Sequence, residues 1–142
     1  MDYQTLDTIA DAYIPLLLLI ALLTMAIRSA KNKSTIAANL QILGSLLLLC
    51  AGAYGLMFID QRLGLWPSVG LDYSTHTAIA VVLVYVLLLL FPGARLFTGA
   101  SLAIYAGLMI YQGYHSLSDI LSTGIVIIGS ILLLNLLQKR HA

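Results

Sequence analysis

Charge is what this sequence has least of. Only 9% of its 142 residues are charged, while 61% are hydrophobic; soluble domains carry roughly 25% charged residues. So little charge cannot cover a water-exposed surface, which excludes an ordinary soluble domain and makes lipid the expected solvent for most of the chain. Cysteine is nearly absent. Cys50 stands alone in an apolar run, which excludes an internal disulfide and leaves the role of a small apolar residue. Lys and Arg are missing from the first eleven residues, which hold Asp2, Asp7 and Asp11 instead. That is the reverse of a secretory leader, so the first apolar run is expected to stay as a membrane helix. No basic cluster interleaved with aromatics is present, which argues against nucleic acid as a partner. No repeat and no low-complexity linker divides the chain, and its length fits one domain.

The apolar runs predict an all-α, polytopic membrane bundle of about five transmembrane helices, spanning residues 12–27, 35–59, 73–90, 96–111 and 120–137. Pro15 is expected in the first turn of the first span, where its missing N–H costs nothing. Gly44, Gly52 and Gly55 read as positions where neighbouring helices approach. Gly99, Ala100, Ser101, Ala103, Ala106 and Gly107 make a small-residue face, which predicts that the fourth span packs inside the bundle. Trp66-Pro67 reads as an interfacial anchor beside a turn.

Five spans put the two ends on opposite sides of the membrane. The positive-inside rule orients them with the N-terminus outside and the C-terminus cytoplasmic. Arg28, Lys31, Lys33, Arg95, Lys139 and Arg140 are then inside, and Arg62 alone is outside. All six acidic residues are aspartates (Asp2, Asp7, Asp11, Asp60, Asp72 and Asp119), and all fall outside or at the outer edge. The expected location is a bacterial inner membrane with the site facing the periplasm.

Two short boxes share that outer edge. One is Asp72-Tyr73-Ser74-Thr75-His76, and the other is His115-Ser116-Leu117-Ser118-Asp119. Each puts an Asp and a His four apart, one helical turn from each other. Ionisable groups at membrane depth are costly and mark functional sites by default. A plainer reading makes Asp72 the N-cap of the third span and Asp119 a group favoured by the dipole of the fifth.

The boxes resemble the type 2 phosphatidic acid phosphatase superfamily, which includes lipid phosphatases, undecaprenyl pyrophosphate phosphatases and vanadium haloperoxidases. Tyr73-Ser74-Thr75-His76-Thr77-Ala78 stands where that family has Pro-Ser-Gly-His at a helix start. Gly113-Tyr114-His115, with Asp119 four residues on, matches the second half of its Ser-Arg, five residues, His, three residues, Asp motif. Leu108 and Met109 occupy the Ser-Arg places, and the family's Lys, six residues, Arg-Pro motif has no counterpart. The likeness covers roughly the C-terminal half, and the family's usual bundle has one helix more.

The resemblance implies a membrane-embedded hydrolase acting on a lipid phosphate or pyrophosphate at the outer face. His115 would be the nucleophile, Asp119 its orienting carboxylate and His76 the acid for the leaving group. Ser74 and Arg62 would hold the phosphate, with no cofactor required. Two alternatives stay open. Asp72, His76, His115 and Asp119 would make a Zn or other divalent metal site, which would supply the positive charge a phosphoryl site needs. A non-catalytic protein binding a lipid headgroup or a partner would need neither clamp nor metal. Membrane lipids are the expected partners in each case, with a second copy or another membrane protein left open.

Overall fold

In lipid, a spanning backbone must satisfy its own hydrogen bonds, and Leu and Ala are strong helix formers. The computed structural model follows that logic. It describes residues 3–140; Asp2 and His141 lie outside the described residues. Five helices carry the fold: α1 (Tyr3–Lys31), α2 (Ile36–Leu63), α3 (Thr75–Leu90), α4 (Arg95–Tyr111) and α5 (Leu117–Arg140). Single 3-10 turns stand before α2, α3 and α4, and no strand occurs among the described residues. Four of the helices are long and apolar enough to cross a membrane, α3 being the exception, and this makes the chain an integral membrane protein.

The helices alternate up and down around α3. That helix is apolar nearly all round, the signature of a buried helix, and ten of its 16 residues are buried. It packs against α1, α2, α4 and α5. Val82, Leu83, Val86 and Leu87 meet Ala21 and Met25 of α1, Leu46 and Ala53 of α2, and Ile127 and Ile131 of α5 in one core. A second cluster joins Tyr105 and Met109 of α4 to Ala80 and Ile120, with Tyr105 stacked on Tyr13 at 4.2 Å. Outward leucines such as Leu47, Leu132 and Leu136 stay exposed, as lipid-facing positions should.

Several expectations change here. The fourth span is peripheral: only Thr98, Tyr105 and Met109 of α4 are buried, and Gly99, Ala100, Ala103 and Gly107 are exposed. Bulk, not smallness, decided the centre, because α3 brings large apolar residues on every face. At Gly44, Gly52 and Gly55 a Cβ would meet nothing within 4 Å, so no helix approaches there. α1 begins at Tyr3, so Pro15 lies inside it rather than in its first turn, and the Asp11 carbonyl loses its usual i+4 donor. Trp66 is buried, its ring edge-on against Tyr73.

Candidate functional site

Up-and-down packing gathers the aspartates. The start of α1, the end of α2, the start of α3, the end of α4 and the start of α5 share one end of the bundle. Gln112 and Tyr114 both donate to Asp7 Oδ1 across that end, and Tyr73 OH donates to the Ala53 carbonyl at 2.8 Å. The five described aspartates and Arg62 belong to this end. The other six basic residues belong to the opposite one.

The approach to α3 is not helical. Residues 71–74 form no regular element, and Ser74 takes an extended conformation; backbone N–H groups outside a helix need partners of another kind. Side chains of α5 supply them. Asp72 N–H donates to Asp119 Oδ1 at 2.8 Å, and Ser74 N–H donates to Thr123 Oγ1 at 3.1 Å. On a helix residues four apart share a face, so Asp119 and Thr123 serve both N–H groups from one face of α5. Asp119 is 8% exposed and Thr123 fully buried.

Asp119 does a second task. Ser116 N–H and Oγ–H both donate to Asp119 Oδ2, at 2.8 and 2.6 Å, and Asp119 N–H returns to Ser116 Oγ at 3.2 Å. This is a capping box with Asp in the usual place of Glu. One carboxylate thus ties the segment before α3 to the loop before α5.

That loop begins where α4 stops. Gly113 takes φ +73, a conformation that costs glycine little. Its N–H reaches the Ile110 carbonyl and the Tyr114 N–H reaches that of Met109, the Schellman ending of a helix. The chain then turns His115 inward. His115 Nδ1 lies 3.5 Å from Asp72 Oδ2; the His side chain is 11% exposed and the Asp side chain 70%. The separation is longer than a hydrogen bond, and Nδ1 is buried with no hydrogen-bond partner among the described residues. The sequence pairs Asp72 with His76 and His115 with Asp119. The structure pairs across the boxes, His115 with Asp72, and gives Asp119 to the backbone.

The remaining candidates go elsewhere. His76 is exposed and lines a cavity of about 320 Å³ with Asp11, Tyr54 and Thr75; His115 and Asp119 do not line it. Ser74, not Asp72, caps α3, accepting from Thr77 N–H. It is fully buried, and its hydroxyl is shared with Thr77 Oγ1 at 2.8 Å, so it is not free to hold a phosphate oxygen. Arg62 is exposed in the last turn of α2 and makes no ion pair among the described residues. The four-ligand metal arrangement does not form. Among the described residues no group of three or more His, Cys, Asp or Glu side chains is arranged to hold a metal ion, because both Asp119 oxygens are committed and His76 lines its own cavity.

Sequence reasoning missed the roles of Thr123 and Ser116; it read Trp66 as an interfacial anchor and had Tyr73 inside the first box. Ser116-x-x-Asp119 before an apolar run is a readable capping signal. Thr123 carries none, since its role depends on a segment 49 positions away. Trp66 stacks edge-on against Tyr73 at 4.9 Å and donates from Nε1 to Ser122 Oγ at 3.0 Å, closing the same structure from the α2–α3 loop. Comparison with known proteins finds no matching family model, no matching curated protein and no matching solved structure.

Proposed function

We propose that this membrane protein is a phosphatase-like hydrolase that acts on a lipid phosphate or pyrophosphate at its aspartate-bearing end. One observation carries the reading: the buried Nδ1 of His115 faces the Asp72 carboxylate, while Asp119 binds the backbone of Asp72 and of Ser116, the residue next to His115. A carboxylate at one ring nitrogen fixes the tautomer and stabilises the cationic ring, leaving the other nitrogen to react. His115 Nε2 attacks phosphorus and the lipid-side oxygen leaves with its bonding electrons and takes up a proton. Water then releases phosphate from the histidine. The orienting carboxylate in this scheme is Asp72, and Asp119 is a positioning residue. The basic end, by the positive-inside rule, faces the cytoplasm, which puts His115 on the outer face, periplasmic in a bacterial inner membrane.

A second reading has its own support. A phosphoryl site needs several cationic donors, and among the described residues Arg62, exposed in the last turn of α2, is the one Lys or Arg at this end. That favours a protein that binds a headgroup or a partner without turnover.

Phosphate release by the purified protein from a panel of lipid phosphates separates the two. The hydrolase reading expects release that His115→Ala abolishes and Asp72→Asn lowers about 100-fold, the usual worth of such a group. Full release from His115→Ala would refute it. Binding of the same lipids with no release by the unsubstituted protein would establish the second reading instead.

A further inference from the structure

The basic end of the bundle holds a cavity of about 790 Å³ between α2 and α5, lined by Gln41, Ser45, Asn135, Gln138 and Lys139. Polar side chains on membrane helices are expensive unless they meet a partner, and here five converge. Two internal bonds set their orientation. Gln138 Nε2 donates to Ser45 Oγ at 2.9 Å, and Tyr85 OH donates to Asn135 Oδ1 at 2.7 Å. The second uses the Asn135 carbonyl oxygen and leaves its NH₂ group to donate. Together with the Gln41 amide and the Lys139 ammonium it forms a set of donors that have no hydrogen-bond partner among the described residues.

Depth and charge fit together. Gln41 and Ser45 are the sixth and tenth residues of α2, and Asn135, Gln138 and Lys139 lie in the last six of α5. At about 1.5 Å per residue Gln41 and Asn135 lie about 8 Å, and Ser45 about 14 Å, in from the basic ends of their helices, a range that runs from the glycerol level into the top of the hydrocarbon. Arg28, Lys31, Lys33, Arg95, Lys139 and Arg140 cluster at this end, and none of the described aspartates does.

Shape adds the third element. An apolar groove of about 350 Å³ continues between the same helices toward the bundle's middle, walled by Gly52, Ala53, Leu56 and Ile127. Leu48 and Leu137 line both spaces, so the polar chamber adjoins the apolar one. A cationic, donor-rich chamber beside a greasy channel has the polarity profile of one amphiphile.

We propose that the α2–α5 cleft binds a phospholipid with an anionic headgroup. The acceptor-only phosphate oxygens meet Lys139 and the amides of Asn135 and Gln41, and one acyl chain lies in the groove past Gly52. Basic pockets between membrane helices suit such headgroups. The cleft shares no residue with the His115 end and stands whether or not that end is catalytic.

The test uses the full chain in lipid nanodiscs of phosphatidylcholine doped with phosphatidylglycerol. Lipid retained after extraction is read by native mass spectrometry, and folding is checked by circular dichroism. The proposal expects one retained phosphatidylglycerol per chain and none of it displaced by inorganic phosphate. Lys139→Glu with Gln41→Leu, both at exposed positions, should lower retention roughly tenfold or more. Gly52→Phe and the milder Gly52→Leu, which point into open space, should do the same by filling the chain's path. Equal retention of phosphatidylcholine would overturn the anionic headgroup. Displacement by inorganic phosphate, or full retention by folded Gly52→Leu and Gly52→Phe, would overturn the lipid. Unchanged retention in the Lys139 and Gln41 double variant would overturn the site.

Discussion

Replacing Asp119 by Ala separates a brace from a catalytic carboxylate. Three donors converge on Asp119: Ser116 N–H, Ser116 Oγ–H and Asp72 N–H. Hydrogen bonds to a charged group are worth about 1.5–3 kcal/mol each in water-soluble proteins, while interhelical bonds in membranes average about 0.6 kcal/mol. Taking about 1 kcal/mol for each at this interface gives a loss of about 3 kcal/mol, and the two stranded backbone N–H groups keep it from being smaller. For a chain of this size that corresponds to a fall in melting temperature of about 6–12 °C. Asp119→Asn keeps one carbonyl acceptor, so its loss should be about half as large. The assay is built into the molecule, because Trp66 is the sole tryptophan. It bonds to Ser122, whose hydroxyl donates to the Asp119 carbonyl. Its fluorescence followed through heating in detergent reports the region that Asp119 holds. An unchanged midpoint in Asp119→Ala would refute the brace. A melting point that falls in Asp119→Ala but not in Asp72→Asn would show that the two carboxylates have different tasks.

Thr123→Val removes the acceptor for Ser74 N–H while keeping the shape, and should cost about 1–2 kcal/mol by the same melting assay; no loss would mean that the N–H finds another partner. Tyr73→Phe gives up the bond to Ala53 O and should cost about 1 kcal/mol without moving the Trp66 emission, since the ring contact remains. Orientation is tested by cysteine labelling after Cys50→Ser. Ser68→Cys, exposed in the α2–α3 loop, should react with an impermeant reagent from outside, and Lys33→Cys only after the membrane is opened; the reverse pattern would invert the topology.

How far the sequence could be read depended on how local each signal was. Helical class, the number of helices and the sorting of aspartates from basic residues are written in long runs, and up-and-down packing turned them into geometry. Which helix sits at the centre was not legible. The small residues of α4 suggested it, but apolar residues look alike in lipid and in a core, so composition does not separate the two. Both boxes were visible as Asp and His four apart, yet that spacing describes neighbours on a helix. Asp72 lies before α3, outside any helix, and His115 is in a loop, so the helical rule did not apply to either pair. The partners that count, Asp72 with His115 and Ser74 with Thr123, are 43 and 49 positions apart, and no local pattern encodes them.

The short central helix explains why Asp119 is a brace. Sixteen residues rise about 24 Å, less than the roughly 30 Å of a bilayer's hydrocarbon core. The non-helical residues 71–74 before it carry the chain on toward the aspartate-bearing end. Non-helical backbone close to lipid is tolerable only where protein supplies its hydrogen bonds. α5 does so with Asp119 and Thr123, and the loop of α2 covers the outside with Trp66. The carboxylate that most resembles a catalytic partner in the sequence is therefore the one least free to act as one. Any chemistry at this end falls to the pair that the brace holds together, with His115 buried on its Nδ1 side and Asp72 open to solvent.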